Sequence, residues 1–335
     1  MKNQNQTINN SDILFVYDAK MCNPNGDPDE ENKPRMDYET EKNLVSDVRL
    51  KRYIRDYLMG LGSDIWVSKV EDKTVSAKER YAGLLAEFNK SEGSKVVPKK
   101  PTEGFKNWLL DKLIDARMFG ATIPIGEEGK GGGASLTYTG PIQFSWGISL
   151  HPVELVPSST ISSTFAGRER SREGKEEQEY GTFGKDWRVF YSLIAFHGII
   201  SGHRADKTRL KPADINTLDK ALLAAIPHEA TTRSKLGQAP RFYLRVEYND
   251  QETTLGDLRR HVKFEPKGQK APIRNVTDFS LDLADLKSAL EQNAEKIARL
   301  HYWKHSELSC KQELDTGGLK EKVIKLSTKG PLEQE

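Results

Sequence analysis

Two short segments hold residues able to do chemistry. The first is Asn23-Pro24-Asn25-Gly26-Asp27-Pro28-Asp29. Its amides and carboxylates alternate as they do in a calcium loop. An EF-hand needs Gly and Glu where this chain has Pro28 and Pro34, so that motif is rejected. Proline removes a donor and glycine permits positive φ, so the segment is an irregular, rigid turn. The second is Thr232-Arg233-Ser234-Lys235-Leu236-Gly237-Gln238-Ala239-Pro240-Arg241, with three cations, a hydroxyl and a glycine. Such a loop can offer phosphate oxygens both charge and hydrogen bonds. A third candidate, Phe165 to Arg172, sets one aromatic beside Arg168, Arg170 and Arg172. Aromatic and guanidinium planes stack on bases or wedge between them.

Other patterns fail. Gly126 to Gly133 and Gly181 to Asp186 lack the P-loop spacing, and no dinucleotide fingerprint follows a strand. His301 and His305 stand four apart, but no third metal ligand is supported. His197 lies in an apolar run and reads as a satisfied core residue. No cofactor and no metal are expected.

The elements that must position these residues follow from periodicity. Ile13 to Ala19 reads as a strand and Lys42 to Leu61 as a helix. On that helix Leu50, Ile54, Tyr57, Leu58 and Leu61 form one face, and Arg49, Arg52 and Arg55 form another. Gly62 to Pro101 is polar and reads as an insertion, and Thr102 is placed to cap a following helix. Met118 to Ile125 is expected as a strand, and Ile142 to Leu150 alternates as one half-buried strand. Ser158 to Lys185 looks like an excursion out of the fold. Trp187 to Ile200 reads as a central strand, Pro212 opens a helix, and Phe242 to Tyr248 is a further strand. Leu281 to Leu300 reads as an amphipathic helix. The order strand, helix, strand, strand, helix, strand points to an α+β chain on a split βαβ plan.

Composition narrows the class. The chain has 335 residues, 36% hydrophobic and 30% charged, with a formal net charge of +2. That total hides blocks: −5 over Asp27 to Glu41, +3 over Lys42 to Gly60 and +5 over Gly202 to Arg245. Local basic blocks bind a polyanion through the local field, whatever the sum. Cys22 and Cys310 give no disulfide framework, which fits a reducing cytoplasm. Met1 to Asn10 is polar and carries no signal-peptide core, and no apolar run reaches the ~18 residues of a membrane span.

In this order the segments resemble the Cas seven backbone subunits of type I CRISPR Cascade, in the Csd/Csh branch of type I-B or a close subtype. The stretches are FVYDAKMCNPNGDPDEENKPR (Phe15 to Arg35), NLVSDVRLKRYIRDYL (Asn43 to Leu58), ARMFGA (Ala116 to Ala121), GPIQFSWGISLHPV (Gly140 to Val153), FGKDWRVFYSLIAFHG (Phe183 to Gly198) and TTRSKLGQAPRFYLRVEY (Thr231 to Tyr248). A weaker match covers Gly256 to Val262. The resemblance implies a modified RRM (ferredoxin-like) palm, a helical fingers insertion and a protruding thumb hairpin. On that plan residues 1–61, 118–157 and 187–262 build the palm, 62–117 the fingers, 158–186 the thumb and 263–335 a C-terminal helical region. It implies a subunit without catalysis that polymerises along CRISPR RNA and presents it to target DNA. Its partners would be other copies of itself and the Cas five, Cas eight or large, small and Cas six subunits. The RNA contacts it implies are Asn23, Asn25, Gly26 and Arg35 in the first loop, and Arg49, Lys51, Arg52 and Arg55 on the helix. Arg233, Ser234, Lys235 and Arg241 belong to the later loop, and Phe165, Arg168 and Arg170 to the thumb. Type III relatives cut RNA with a first-loop carboxylate, so a metal-dependent ribonuclease using Asp27 or Asp29 is the alternative. A pure protein-interaction module is the third reading.

Overall fold

The computed structural model describes residues 7–68, 73–98, 100–125, 135–157, 159–166, 181–268 and 271–327. Strand β1 (Ser11–Cys22) enters the turn segment, where β2 (Gly26–Asp27) pairs with β3 (Lys33–Pro34). Then come β4 (Met36–Asp37), β5 (Lys42–Val45) and helix α1 (Asp47–Gly60). The insertion holds α2 (Ala77–Ser91), α3 (Glu103–Lys112) and α4 (Ile114–Phe119), followed by the hairpin β6 (Gly120–Pro124) and β7 (Ser135–Thr139). Next are β8 (Ile142–Phe144), β9 (Gly147–Ser149) and the ribbon β10 (Thr160–Ala166) with β11 (Gly181–Lys185). The chain continues through β12 (Val189–Ile200), α5 (Gly202–Thr208), α6 (Pro212–Glu229) and β13 (Gln238–Tyr248). It closes with β14 (Lys263–Pro266), β15 (Phe279–Asp282), α7 (Ala284–Gln292), β16 (Ile297–Lys304) and β17 (Val323–Lys325).

Among the described residues the main sheet runs β17-β16-β13-β1-β12-β9-β5-β4, with β8 also on β12. It is mixed, because β16 and β17 are parallel. β1 is central: Ser11 sits opposite Ile200 on one side and Glu247 on the other. A strand covered on both faces needs a continuous apolar run rather than alternation. That is why Ile13, Phe15 and Tyr17 join the core under α1 and α6, while Leu14 and Val16 join the core under α7. A third core, of Tyr81, Leu84, Phe88, Phe105 and Leu109, holds the insertion together.

Several expectations are met. Thr102 caps α3 by accepting from the Phe105 N–H at 3.3 Å, and Pro212 opens α6. Others are corrected. The helix expected from Lys42 begins at Asp47, because Lys42–Val45 form β5, whose Leu44 and Val45 pair with β9. Ile142 to Leu150 is two strands, broken where Ser145 donates to the His197 carbonyl and Trp146 turns out, 45% exposed. Met118 to Ile125 is a helix end followed by a hairpin strand in the insertion's core. The polar insertion contains α2, started by a Ser76–Glu79 capping box. Leu281 to Leu300 is not one helix. It is the end of β15, α7 and the start of β16, because Ile297 to Lys304 pairs with β13. Short apolar runs fit either period, and here tertiary pairing decides. His197 is half-exposed, and its buried Nδ1 has no hydrogen-bond partner among the described residues, so it does not read as a satisfied core residue.

Candidate nucleic-acid interface

The first loop is built on its asparagines. The Asn25 Oδ1 accepts from the Ser46 N–H at 2.9 Å and the Ser46 hydroxyl at 3.0 Å, tying the loop to the start of α1. The Asn23 amide donates to the Asn32 carbonyl at 2.6 Å. A Cβ on Gly26 would lie 2.6 Å from that carbonyl oxygen, so only glycine fits. Asp27 is engaged at both oxygens. Oδ1 accepts from the Asp29 N–H at 3.1 Å, and Oδ2 pairs with Arg35 at 2.7 Å. Arg35 also lies over the Trp146 ring, 5.7 Å from its centroid.

The later loop is stitched onto this one. The Asn23 N–H donates to the Ser234 carbonyl and the Lys20 N–H to the Gly237 carbonyl, each at 2.8 Å. Gly237 has φ +111°, and a Cβ there would meet the Lys20 carbonyl at 2.3 Å. Lys235 turns inward. Its ammonium donates to the Asn23 carbonyl at 2.6 Å and reaches the Pro24 carbonyl at 3.5 Å. Burial, with Arg49 nearby, pushes the Lys235 pKa down to about 8. The Gln238 amide bridges the Tyr53 hydroxyl at 3.0 Å and the Lys235 carbonyl at 2.9 Å. Arg49 stacks on Tyr53 with its guanidinium carbon 3.9 Å from the ring centroid. Arg188 donates to the Met21 carbonyl at 2.6 Å and pairs with Asp186 at 2.8 Å. What remains outward among the described residues is Arg233, with a side chain 65% exposed and Asp186 at 4.0 Å, and Leu236, 67% exposed.

The sequence-predicted cations therefore divide. Asn23, Asn25, Gly26, Arg35, Arg49, Ser234 and Lys235 come together at one end of the sheet, with Arg233 at their rim. Lys51 is buried between Asp47 at 3.0 Å and the Gln143 oxygen at 2.9 Å. Arg52 pairs with Asp56 and donates to the Val67 carbonyl at 2.6 Å. Arg55 pairs at 2.8 Å with the fully buried Asp115, which also accepts from the Trp66 and Val67 N–H groups. Arg241 pairs with Asp18 at 2.8 Å and Glu307 at 2.6 Å. Burial pushes the Asp18 carboxyl up, against the pull of Arg241. These four side chains are held by the fold. Phe165 lies on β10. Arg168 and Arg170 lie outside the described residues.

Sequence reasoning missed Tyr53, Arg188, Gln238 and the cluster in which Lys33 sits 5.0 Å from the Tyr38 ring and 5.6 Å from the Trp187 ring. Only Gly237, between a cation-rich stretch and a strand, signalled a strained turn. His301 and His305 each have a partner within the fold. His301 meets Glu247 at 2.9 Å, and the His305 Nδ1 lies 3.1 Å from Arg241. Among the described residues no three His, Cys, Asp or Glu side chains converge as a metal set.

Residues 9–284 match the family model of CRISPR-associated protein Cas7. A CRISPR-associated protein Cas7 of Haloferax volcanii is 33% identical over 306 residues, covering 88% of this chain and 86% of that protein. The chain belongs to the Cas7 family. Among solved structures, a chain of a "CRISPR RNA-guided surveillance complex, pre-nicking" aligns over 95% of both chains at 13% identity and a TM-score of 0.49. A chain of a "CRISPR RNA-guided surveillance complex" aligns over 91% of both at 10% identity and a TM-score of 0.43.

Proposed function

We propose that this chain is the guide-binding backbone subunit of a type I CRISPR surveillance complex. Copies stack along CRISPR RNA and hold it for pairing with target DNA, so base pairing supplies the sequence specificity. Other Cascade subunits complete the assembly in the cytoplasm, and no helix among the described residues is long and apolar enough to cross a membrane. The strand order β13-β1-β12-β9, crossed by α1 and α6, supports reading the sheet as the modified RRM-like palm. The β10–β11 ribbon then starts the thumb, and the α2–α3 insertion forms the fingers.

The observation that carries this reading is the stitched loop pair, which leaves Arg233 as outward charge, with Arg49 stacked on Tyr53 beside it, in a chain of the Cas7 family. Backbone bonds, Lys235 and Arg188 fix the loops, so Arg233 is left over for phosphate. The test is binding of guide RNA by Arg233→Glu. A tenfold or larger loss is expected, roughly the cost of one charge reversal at a phosphate contact. Normal binding by a folded variant would sink the reading. The subunit is read as non-catalytic, because Asp27 spends both oxygens inside its own loop. Complementary RNA incubated with the assembled complex and magnesium should stay intact, and cleavage lost on Asp27→Asn or Asp29→Asn would reverse that.

A further inference from the structure

The same loop pair assigns Lys235 a role other than contact. Resting on the function proposed above, we infer that Lys235 is a positioning residue: its ammonium latches the 231–237 loop onto the Asn23–Pro24 turn, and this aims Arg233 at the RNA backbone.

Geometry carries the inference. The Lys235 Nζ points at two carbonyl oxygens of the other loop, at 2.6 and 3.5 Å, and the residue is half-buried. An ammonium already donating to carbonyls has fewer donors to give a phosphate. The backbone bond from the Asn23 N–H to the Ser234 carbonyl lies beside it, so the latch and the backbone stitch close the same seam. Arg233 is two residues away and points out. Its carbonyl is held in turn by Arg188 at 3.3 Å. Losing the latch frees the segment that carries Arg233 without removing any outward charge.

The latch is also titratable within reach of ordinary buffers. The charged and titratable groups facing Lys235 are Arg49 from α1 and Cys22 from β1. Asp18 and Arg188 border Cys22. Burial pushes the Cys22 thiol up to about 12, so it stays neutral where Lys235 discharges near pH 8. Because the folded-state pKa lies below the ordinary value of 10.5, the unfolded chain binds more protons between the two. The free protein should therefore gain stability as pH rises from about 8 toward 10.5, while its grip on RNA weakens.

The experiment measures the affinity of the full chain for a synthetic guide-length single-stranded RNA against salt and against pH. Lys235→Met should weaken binding roughly tenfold, about what one charge-assisted hydrogen bond supplies. It should leave the slope of log affinity on log salt unchanged, whereas Arg233→Ala should reduce that slope by about 0.7, one single-strand phosphate contact. Wild-type affinity should fall from about pH 7 to about pH 9.5, while Lys235→Arg, charged throughout, stays level. A salt slope reduced as much by Lys235→Met as by Arg233→Ala would make Lys235 a direct contact and overturn the inference. So would unaltered binding by Lys235→Met. If that variant does not fold, the pH comparison of wild type with Lys235→Arg decides alone, and parallel declines overturn the latch. Failure of the functional reading is separate, since it shows as normal binding by Arg233→Glu.

Discussion

Helix α1 and the 231–237 loop are both basic in sequence, and the fold treats them in opposite ways. On α1, Lys51, Arg52 and Arg55 each meet a carboxylate, two of them from the same helix and one, Asp115, from across the insertion. In the loop, backbone bonds and one lysine do the fastening, and Arg233 is left outward. Charge counted along a chain is not charge presented to a partner. What separates the two is where the acids lie, and Asp115 is 60 residues from the arginine it neutralises.

The sharpest way to break this contrast is to remove the acid. Asp115→Ala strands the Arg55 guanidinium and leaves the Trp66 and Val67 N–H groups unpaired. Breaking a buried pair from one side costs about 3–5 kcal/mol, so urea unfolding should show a loss of that order. Arg233→Glu should do the reverse. Guide RNA affinity drops tenfold or more, while stability stays within about 0.5 kcal/mol of wild type, as for an exposed site. Gly237→Ala lies between, since a Cβ is forced into the left-handed region against the Lys20 carbonyl. A stability loss of about 1–3 kcal/mol is expected, with weaker RNA binding as the loop shifts. The smallest effect belongs to Arg52→Gln. Its pair with Asp56 is a partly exposed i,i+4 contact worth about 0.3–0.5 kcal/mol, and RNA affinity should change less than about threefold. A large loss of RNA binding in Arg52→Gln would erase the distinction between the two regions.

The central strands and the two loops were legible in the sequence because their signals are local. Ile13 to Ala19 is a strand by composition alone, and a Pro-Asn-Gly turn can hardly be anything else. The roles within the loops were not legible. Nothing adjacent in sequence says that Lys235 faces the Asn23 carbonyl 212 residues away, or that Arg241 is claimed by Asp18 and Glu307. The same limit explains the late segment. Ile297, Leu300 and Tyr302 fit a helix or a strand equally, and only the edge of β13 selects the strand. Trp146 was expected to point inward with its alternating neighbours. The break at Ser145 turns it outward instead, beneath Arg35.

The position of β1 has a consequence for how the protein is made. Its first residue, Ser11, lies opposite Glu247, so during synthesis β1 lacks one neighbour until β13 follows it. At about 5–20 residues per second that interval is on the order of ten to fifty seconds. Throughout it, one of the most apolar segments of the chain has an open edge, exposed to any other nascent strand nearby. A pairing that spans so much of the chain should slow folding of this protein by topology.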